Sequence, residues 1–487
     1  MLFNSYVFLF AFLPLTLTVF HGLRHYSHFR AARLSLAIAS LGFYGWWSIQ
    51  GLALLLLLMA ANYAVVLTLL KQDRSKTTRL TLAIIGIAAN LGVLGYFKYA
   101  NFFIENLATL TGSQAHMIAV ILPLGLSFFT FQKIALIADA YGGKVEHIDP
   151  IGYVLFVSFF PQLIAGPIVH HSEVMPQFAS RQPIRVDDVA HGVSLFIIGL
   201  SKKVLLADNL AEWVTPAFNA AGTGHAPAFA SAWIGALSYT LQLYFDFSGY
   251  SDMALGLGLL FGIRLPVNFA SPYKANGIIE FWRRWHITLS RFLRVYLYIP
   301  LGGNRRGQIR AFTNMMATMM LGGLWHGAAW TFVLWGMLHG IYLVINHQWQ
   351  SLANVWKTFL LPKPATIIVS RMTTFLAIVV GWVFFRAADL NSATAMLSAM
   401  TGLTGTKNVG PGLMIAIPVL AILMAIVWFA PNSYEMVIGT DDPSQSPSRR
   451  IFHQAMMRPV GAAISGLLFV ACIMSLTRAT EFLYFQF

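Results

Sequence analysis

The sequence predicts an all-α, polytopic membrane protein, and three observations carry that prediction. Of 487 residues, 57% are hydrophobic and only 10% are charged, against roughly 25% charged residues in soluble globular chains. Apolar runs near the ~20 residues that a helix needs to cross a bilayer recur along the whole chain. Period-two alternation is absent, and the runs are too long for barrel strands. The shortage of charge excludes a soluble enzyme, a disordered tail protein and a coiled coil.

The elements follow in order. The opening run MLFNSYVFLFAFLPLTLTVFHGL has no basic stretch before its apolar core and no small-residue cleavage site. It is expected to be a retained span over 4–22 and not a cleaved signal. Further spans are expected over 35–50, 51–70, 80–98, 116–137, 150–168 and 188–206. Then come 228–262 and 311–346, each in two pieces, and 365–385, 411–430 and 459–477. That makes about 10–13 crossings. With no repeat and no soluble insert, residues 1–477 read as one membrane domain and 478–487 as a tail.

Charge then orients the chain. Thirty-two Lys and Arg against eighteen Asp and Glu give +14, which in a membrane protein reflects cytoplasmic loops sooner than nucleic acid. The basic clusters are HGLRHYSHFRAAR, KQDRSKTTR at 71–79, the segment 273–310 and the stretch ending at Arg458. With all four in the cytoplasm, the last span carries the tail to the outer face. The single cysteine, Cys472, lies in an apolar run. It excludes an intramolecular disulfide framework and a cysteine metal cluster, and points to packing, not thiol catalysis.

The candidate chemistry concentrates in four places. EFWRRWHITLSRFLRVYLYIPLGGNRRG, at 280–307, sets Arg283, Arg284, Arg305 and Arg306 among interfacial aromatics. It reads either as an amphipathic surface on anionic lipid or as a cationic mouth for a phosphate-bearing donor. Its glycines make no Walker loop. LGGLWHGAAWTFVLWGMLHG places Trp325 and His326 before a glycine at membrane depth, where ionisable groups are functional candidates by default. His339 serves equally as a core histidine. No HExxH occurs, and neither His170/His171 nor His326/His339 has standard zinc spacing, so no metal site is expected. LIAGPIVHH breaks a helix at Gly166–Pro167, and QLYFDFSGYSDMALGLG buries Asp246 and Asp252. Those carboxylates need cations, for which KYAN at 98–101 and FQK at 131–133 are candidates. The terminal EFLYFQF carries Phe482, Tyr484 and Phe487 and by composition is an aromatic interfacial anchor.

Taken together, FFPQLIAGPIV, LYFDFSGYSDMALGLG, FWRRWHITLSRFLR, YLYIPLGGNRRG and GGLWHG resemble the membrane-bound O-acyltransferase family, nearest its bacterial polysaccharide O-acetylation branch. The likeness runs from the N-terminus to about residue 346. It implies helices around a central acyl-transfer tunnel in the bacterial inner membrane. His326 matches the family's near-invariant histidine and His286 its second polar position. FLYFQF looks like an aromatic motif of envelope-acylation systems whose tyrosine carries the acyl group, here Tyr484. The implied donor is acetyl-CoA or an acyl-carrier thioester, with no bound cofactor. The implied partners are a serine-hydrolase-like transferase outside the membrane and an acceptor polysaccharide: alginate, cellulose or peptidoglycan. Direct attack by the acceptor would replace the tyrosyl relay. Basic faces and intramembrane Asp and His also suit a transporter of a lipid-linked saccharide.

Overall fold

The computed structural model describes residues 1–487 except 72, 225, 356–362, 404–410, 440–451, 456–457, 479, 481 and 484–487. The described residues are helical with no strand. Among the described residues, five helical stretches are long and apolar enough to cross a membrane: Phe8–His25, Ile49–Leu70, Lys76–Thr111, Val186–Gly222 and Ala365–Arg386. Met414–Phe429 and Pro459–Ser475 are shorter apolar helices. The chain forms two compact units, Met1–Leu200 with Tyr250–Pro266, and Ser201–Gly249 with Val267–Phe487.

In the first unit the apolar runs become helices where caps and breakers allow. Ser48 caps Ile49–Leu70, its hydroxyl accepting from Gly51 N–H, which satisfies one of the donors that a helix start leaves open. Asn62 meets Asn90 on the next long helix, Asn90 Nδ2 donating to Asn62 Oδ1 at 2.8 Å, a polar joint between apolar helices. The expected span over 116–137 is only half right: helix begins at Leu126, after Pro123 and a left-handed Gly125 (φ 73°). The break at Gly166–Pro167 is present, in the stretch between the helices Phe160–Leu163 and His171–Ala179, where a Cβ on Gly166 would stand 2.4 Å from Gln162 Cα. Beyond it His170 caps His171–Ala179 and approaches Asp139 at 2.6 Å, while Lys144 holds the other oxygen of that carboxylate at 3.0 Å.

The expected two pieces over 228–262 are instead one helix, Phe229–Leu260. Its glycines lie where neighbours pack closely against the helix. A Cβ on Gly235 would meet Ala217 Cβ at 2.5 Å, and one on Gly256 would meet Gly192 O at 2.5 Å. The run over 311–346 does divide, into Gln308–His326 and Trp330–Val355. These two helices touch backbone to backbone. A Cβ on Gly323 would fall 2.2 Å from Phe332 O, and one on Gly336 would fall 2.3 Å from Met319 O. Their turn sets the site.

Candidate active site

His326 is the last residue of its helix, and Gly327 caps the end in an extended conformation (φ −160°, ψ 149°). Any residue can adopt that backbone, so the need for glycine here is steric: a Cβ would lie 2.1 Å from Phe332 Cε2. The imidazole is 4% exposed. Trp335 and Phe385 stand edge-on to it, with centroids at 5.1 and 5.2 Å, and Trp325 at 5.0 Å.

His286 faces the same enclosure, its ring centroid 6.5 Å from that of His326 and 6.3 Å from Trp325. It lies between the short helices Ile278–Trp282 and Ile287–Leu293, and its backbone is left-handed (φ 43°, ψ 54°). That conformation costs an L-residue roughly 1–2 kcal/mol, and such strain clusters at functional sites. Asn268 holds the reversal. Its carbonyl accepts from Ile287 N–H at 3.0 Å. Its side-chain oxygen accepts from Thr288 N–H at 3.2 Å and from the Thr288 hydroxyl at 2.9 Å. Because a backbone N–H can only donate, the atom facing Thr288 is the amide oxygen. His286 Nδ1, 3.1 Å from that oxygen, is therefore the donor. The tautomer follows: Nδ1 carries the proton and Nε2 carries the lone pair. Complete burial, outside the long helices, pushes this imidazole down to about 3, so it is neutral at physiological pH.

His286, His326 and Trp325 thus lie together. His339 is fully buried behind Trp335, at 4.8 Å between centroids, and against Trp282 at 5.3 Å. The arginines of 280–307 divide. Arg284 is bound to Glu280 at 2.6 Å, whereas Arg283, Arg305 and Arg306 are exposed. A cleft of about 440 Å³ in the same unit is lined by Asn276, Tyr342, Asn346, Trp349, Thr373 and Thr374.

Asp246 is buried, and its cation is Lys203 at 2.6 Å, not a lysine of KYAN or FQK. Asp252 falls in the other unit. Tyr484 lies outside the described residues. The sequence reading missed Asn268, Lys203 and Asp208. The only available sign of Lys203 was an ionisable residue inside an apolar run.

A profile of the membrane-bound O-acyltransferase family matches residues 76–386, the stretch that supplies both histidines. The chain belongs to the membrane-bound O-acyltransferase family. It is 45% identical to the peptidoglycan O-acetyltransferase of Helicobacter pylori over 84% of this chain and 81% of that protein. It is 40% identical to the probable alginate O-acetylase of Pseudomonas putida over the whole of both chains. The teichoic acid D-alanyltransferase of Bacillus subtilis is 28% identical over 54% of this chain and 66% of its own. As a membrane-bound O-acyltransferase the protein is an enzyme, which decides against the transporter alternative.

Proposed function

We propose that this membrane-bound O-acyltransferase takes an acetyl group from a cytoplasmic thioester, coenzyme A or an acyl carrier protein. It passes the group across the inner membrane for O-acetylation of an extracytoplasmic polysaccharide of the alginate, cellulose or peptidoglycan class. The observation that carries this reading is the pairing of His326 with His286 among closely packed aromatic rings. The names of the relatives support the acyl group and the class of acceptor.

The chemistry balances on the chain's own residues. A phenol of reference pKa about 10 is protonated at neutral pH and needs a base. His326, neutral, takes the Tyr484 proton as the phenolic oxygen bonds to the thioester carbonyl carbon. The carbon–sulfur bond then breaks, and the imidazolium returns the proton to the leaving thiolate. His286, proton fixed on Nδ1, offers Nε2 as an acceptor that orients a hydroxyl or a water. The exposed Arg283, Arg305 and Arg306 bind the donor's phosphates; Arg284, held by Glu280, contributes less. The tyrosyl ester then gives its acetyl group to a serine-hydrolase-like transferase outside the membrane, and that partner acetylates the polymer.

The test is peptide mass spectrometry after incubation with isotopically heavy acetyl-CoA. The expected product is a C-terminal peptide acetylated at Tyr484, absent in His326→Ala and in Tyr484→Phe. Full polymer acetylation by Tyr484→Phe at normal protein level would sink the relay and leave direct transfer.

A further inference from the structure

Three charged side chains meet at a point that neither histidine uses. Lys203 Nζ lies 2.6 Å from Asp246 Oδ1 and 2.8 Å from Asp208 Oδ1. Their side chains are 1%, 2% and 7% exposed. Lys203 sits in a π-helical turn, Lys202–Ala207, inside the helical stretch Val186–Gly222, the kind of distortion often found at functional sites. Among the described residues, one cation here faces two carboxylates, an excess of one negative charge. A buried charge in that state is costly unless hydrogen bonds meet it.

The chain's own C-terminal arm supplies those hydrogen bonds. Thr480 N–H donates to Asp208 Oδ2 at 3.2 Å, and the Thr480 hydroxyl donates to Asp208 Oδ1 at 2.6 Å. Leu483 N–H donates to Asp246 Oδ2 at 3.0 Å. Between these two anchors the Phe482 ring is 1% exposed and lies 4.8 Å from Lys203 Nζ, a cation–π contact. Asp246 thus gives one oxygen to lysine and the other to the arm, whereas Asp208 Oδ1 serves both Lys203 and the Thr480 hydroxyl and Oδ2 serves the Thr480 N–H; the arm's backbone N–H groups offset the surplus charge.

We infer that Lys203, Asp208 and Asp246 form a docking site for the C-terminal segment, fixing its register at Thr480 and Leu483. The consequence for chemistry follows from one helix. Asp246 holds the arm, and the next residue, Phe247, stands edge-on to His286 at 4.8 Å. Tyr484 follows in sequence directly after Leu483, the residue whose N–H Asp246 holds. The cluster is therefore a positioning device for the relay. Its role in docking the arm does not depend on the relay, but what the arm presents rests on that reading.

Hydrogen–deuterium exchange of the full chain in nanodiscs, read on peptides covering 476–487, tests this. The Thr480 and Leu483 amides are expected to exchange slowly in the parent protein. Asp246→Ala should speed Leu483 exchange by roughly tenfold or more, the order expected for losing a hydrogen bond to a charged acceptor. That change leaves Lys203 and Asp208 as a neutral pair, but should it fail to fold, Leu483→Pro removes the donor from the arm instead. In Leu483→Pro the Thr480 amide should exchange faster. Unprotected amides in the parent, or equal protection in both variants, overturn the docking site. Tyr484→Phe should keep full protection. Protection without a Tyr484 acetyl adduct would defeat the relay and leave the docking site standing; an adduct without protection would do the reverse.

Discussion

Gly327→Ala probes how His326 is held, and its effect can be worked from contacts. The backbone there is extended, so alanine meets no conformational penalty. Its methyl group would instead lie 2.1, 2.3 and 2.9 Å from three atoms of the Phe332 ring. Ordinary contact between carbons begins near ~3.5 Å, so the ring must withdraw by more than an ångström. Phe332 abuts Phe385 at 5.0 Å between centroids, and Phe385 abuts His326 at 5.2 Å. The push therefore ends on the imidazole. Overpacking of this kind costs about 1–3 kcal/mol in stability, and an ångström of misplacement at a reacting group costs on the order of 10²-fold in rate. Phe332→Val deletes all three clashing atoms. Acetyl-transfer turnover per folded protein should fall by about 10²-fold in Gly327→Ala and recover at least tenfold when Phe332→Val is added. Parent-like turnover in Gly327→Ala, or a double variant no faster than the single one, would refute the reasoning.

Other changes have equally direct readings. His326→Ala should lower transfer by roughly 10²–10⁴-fold while the purified protein keeps its melting temperature within a few degrees. Replacing Arg305 and Arg306 together by Gln should raise the KM for acetyl-CoA and flatten its salt dependence with kcat little changed, checked by initial rates across ionic strength. His286 gives a pH signature. Its folded value of about 3 lies below the ordinary value near 6.5, so between those limits only the unfolded chain takes up the proton. Stability should therefore fall as pH drops from about 6.5 toward 3, and thermal melts of His286→Gln should lose part of that slope.

How much was legible in the sequence depended on whether a residue's partner was near it in the chain. The apolar runs announced the helices, and Gly–Leu–Trp–His–Gly announced a histidine at a helix end. The expected two pieces over 228–262 are one helix, Phe229–Leu260, although Asp246 and several glycines lie inside it. Lys203 neutralises the one, and close neighbours fill the space beside the others. Pro123 and Gly125 shortened the expected 116–137 span, a local signal outweighed by the length of the apolar run. Asn268 and Lys203 had no local signal of their role. Each acts across a gap that folding alone closes, Asn268 on His286 and Lys203 on Asp246. Membrane burial sharpens the point, because a polar residue at depth reveals that a partner exists without revealing which one.

The two kinds of glycine around the site differ in what a genetic screen can repair. At Gly327 the obstacle is a side chain, so a second mutation can yield. At Gly323 and Gly336 it is backbone, a carbonyl oxygen 2.2 or 2.3 Å from the would-be Cβ, and no substitution on the opposite helix removes a carbonyl. Suppressors of Gly327→Ala should therefore map to Phe332 and its neighbours, whereas Gly323→Ala and Gly336→Ala should yield revertants to glycine and no second-site rescue in the hairpin. A seam built from main chain cannot drift by compensated steps, so this part of the enzyme is closed to gradual redesign while the aromatic walls around it stay open.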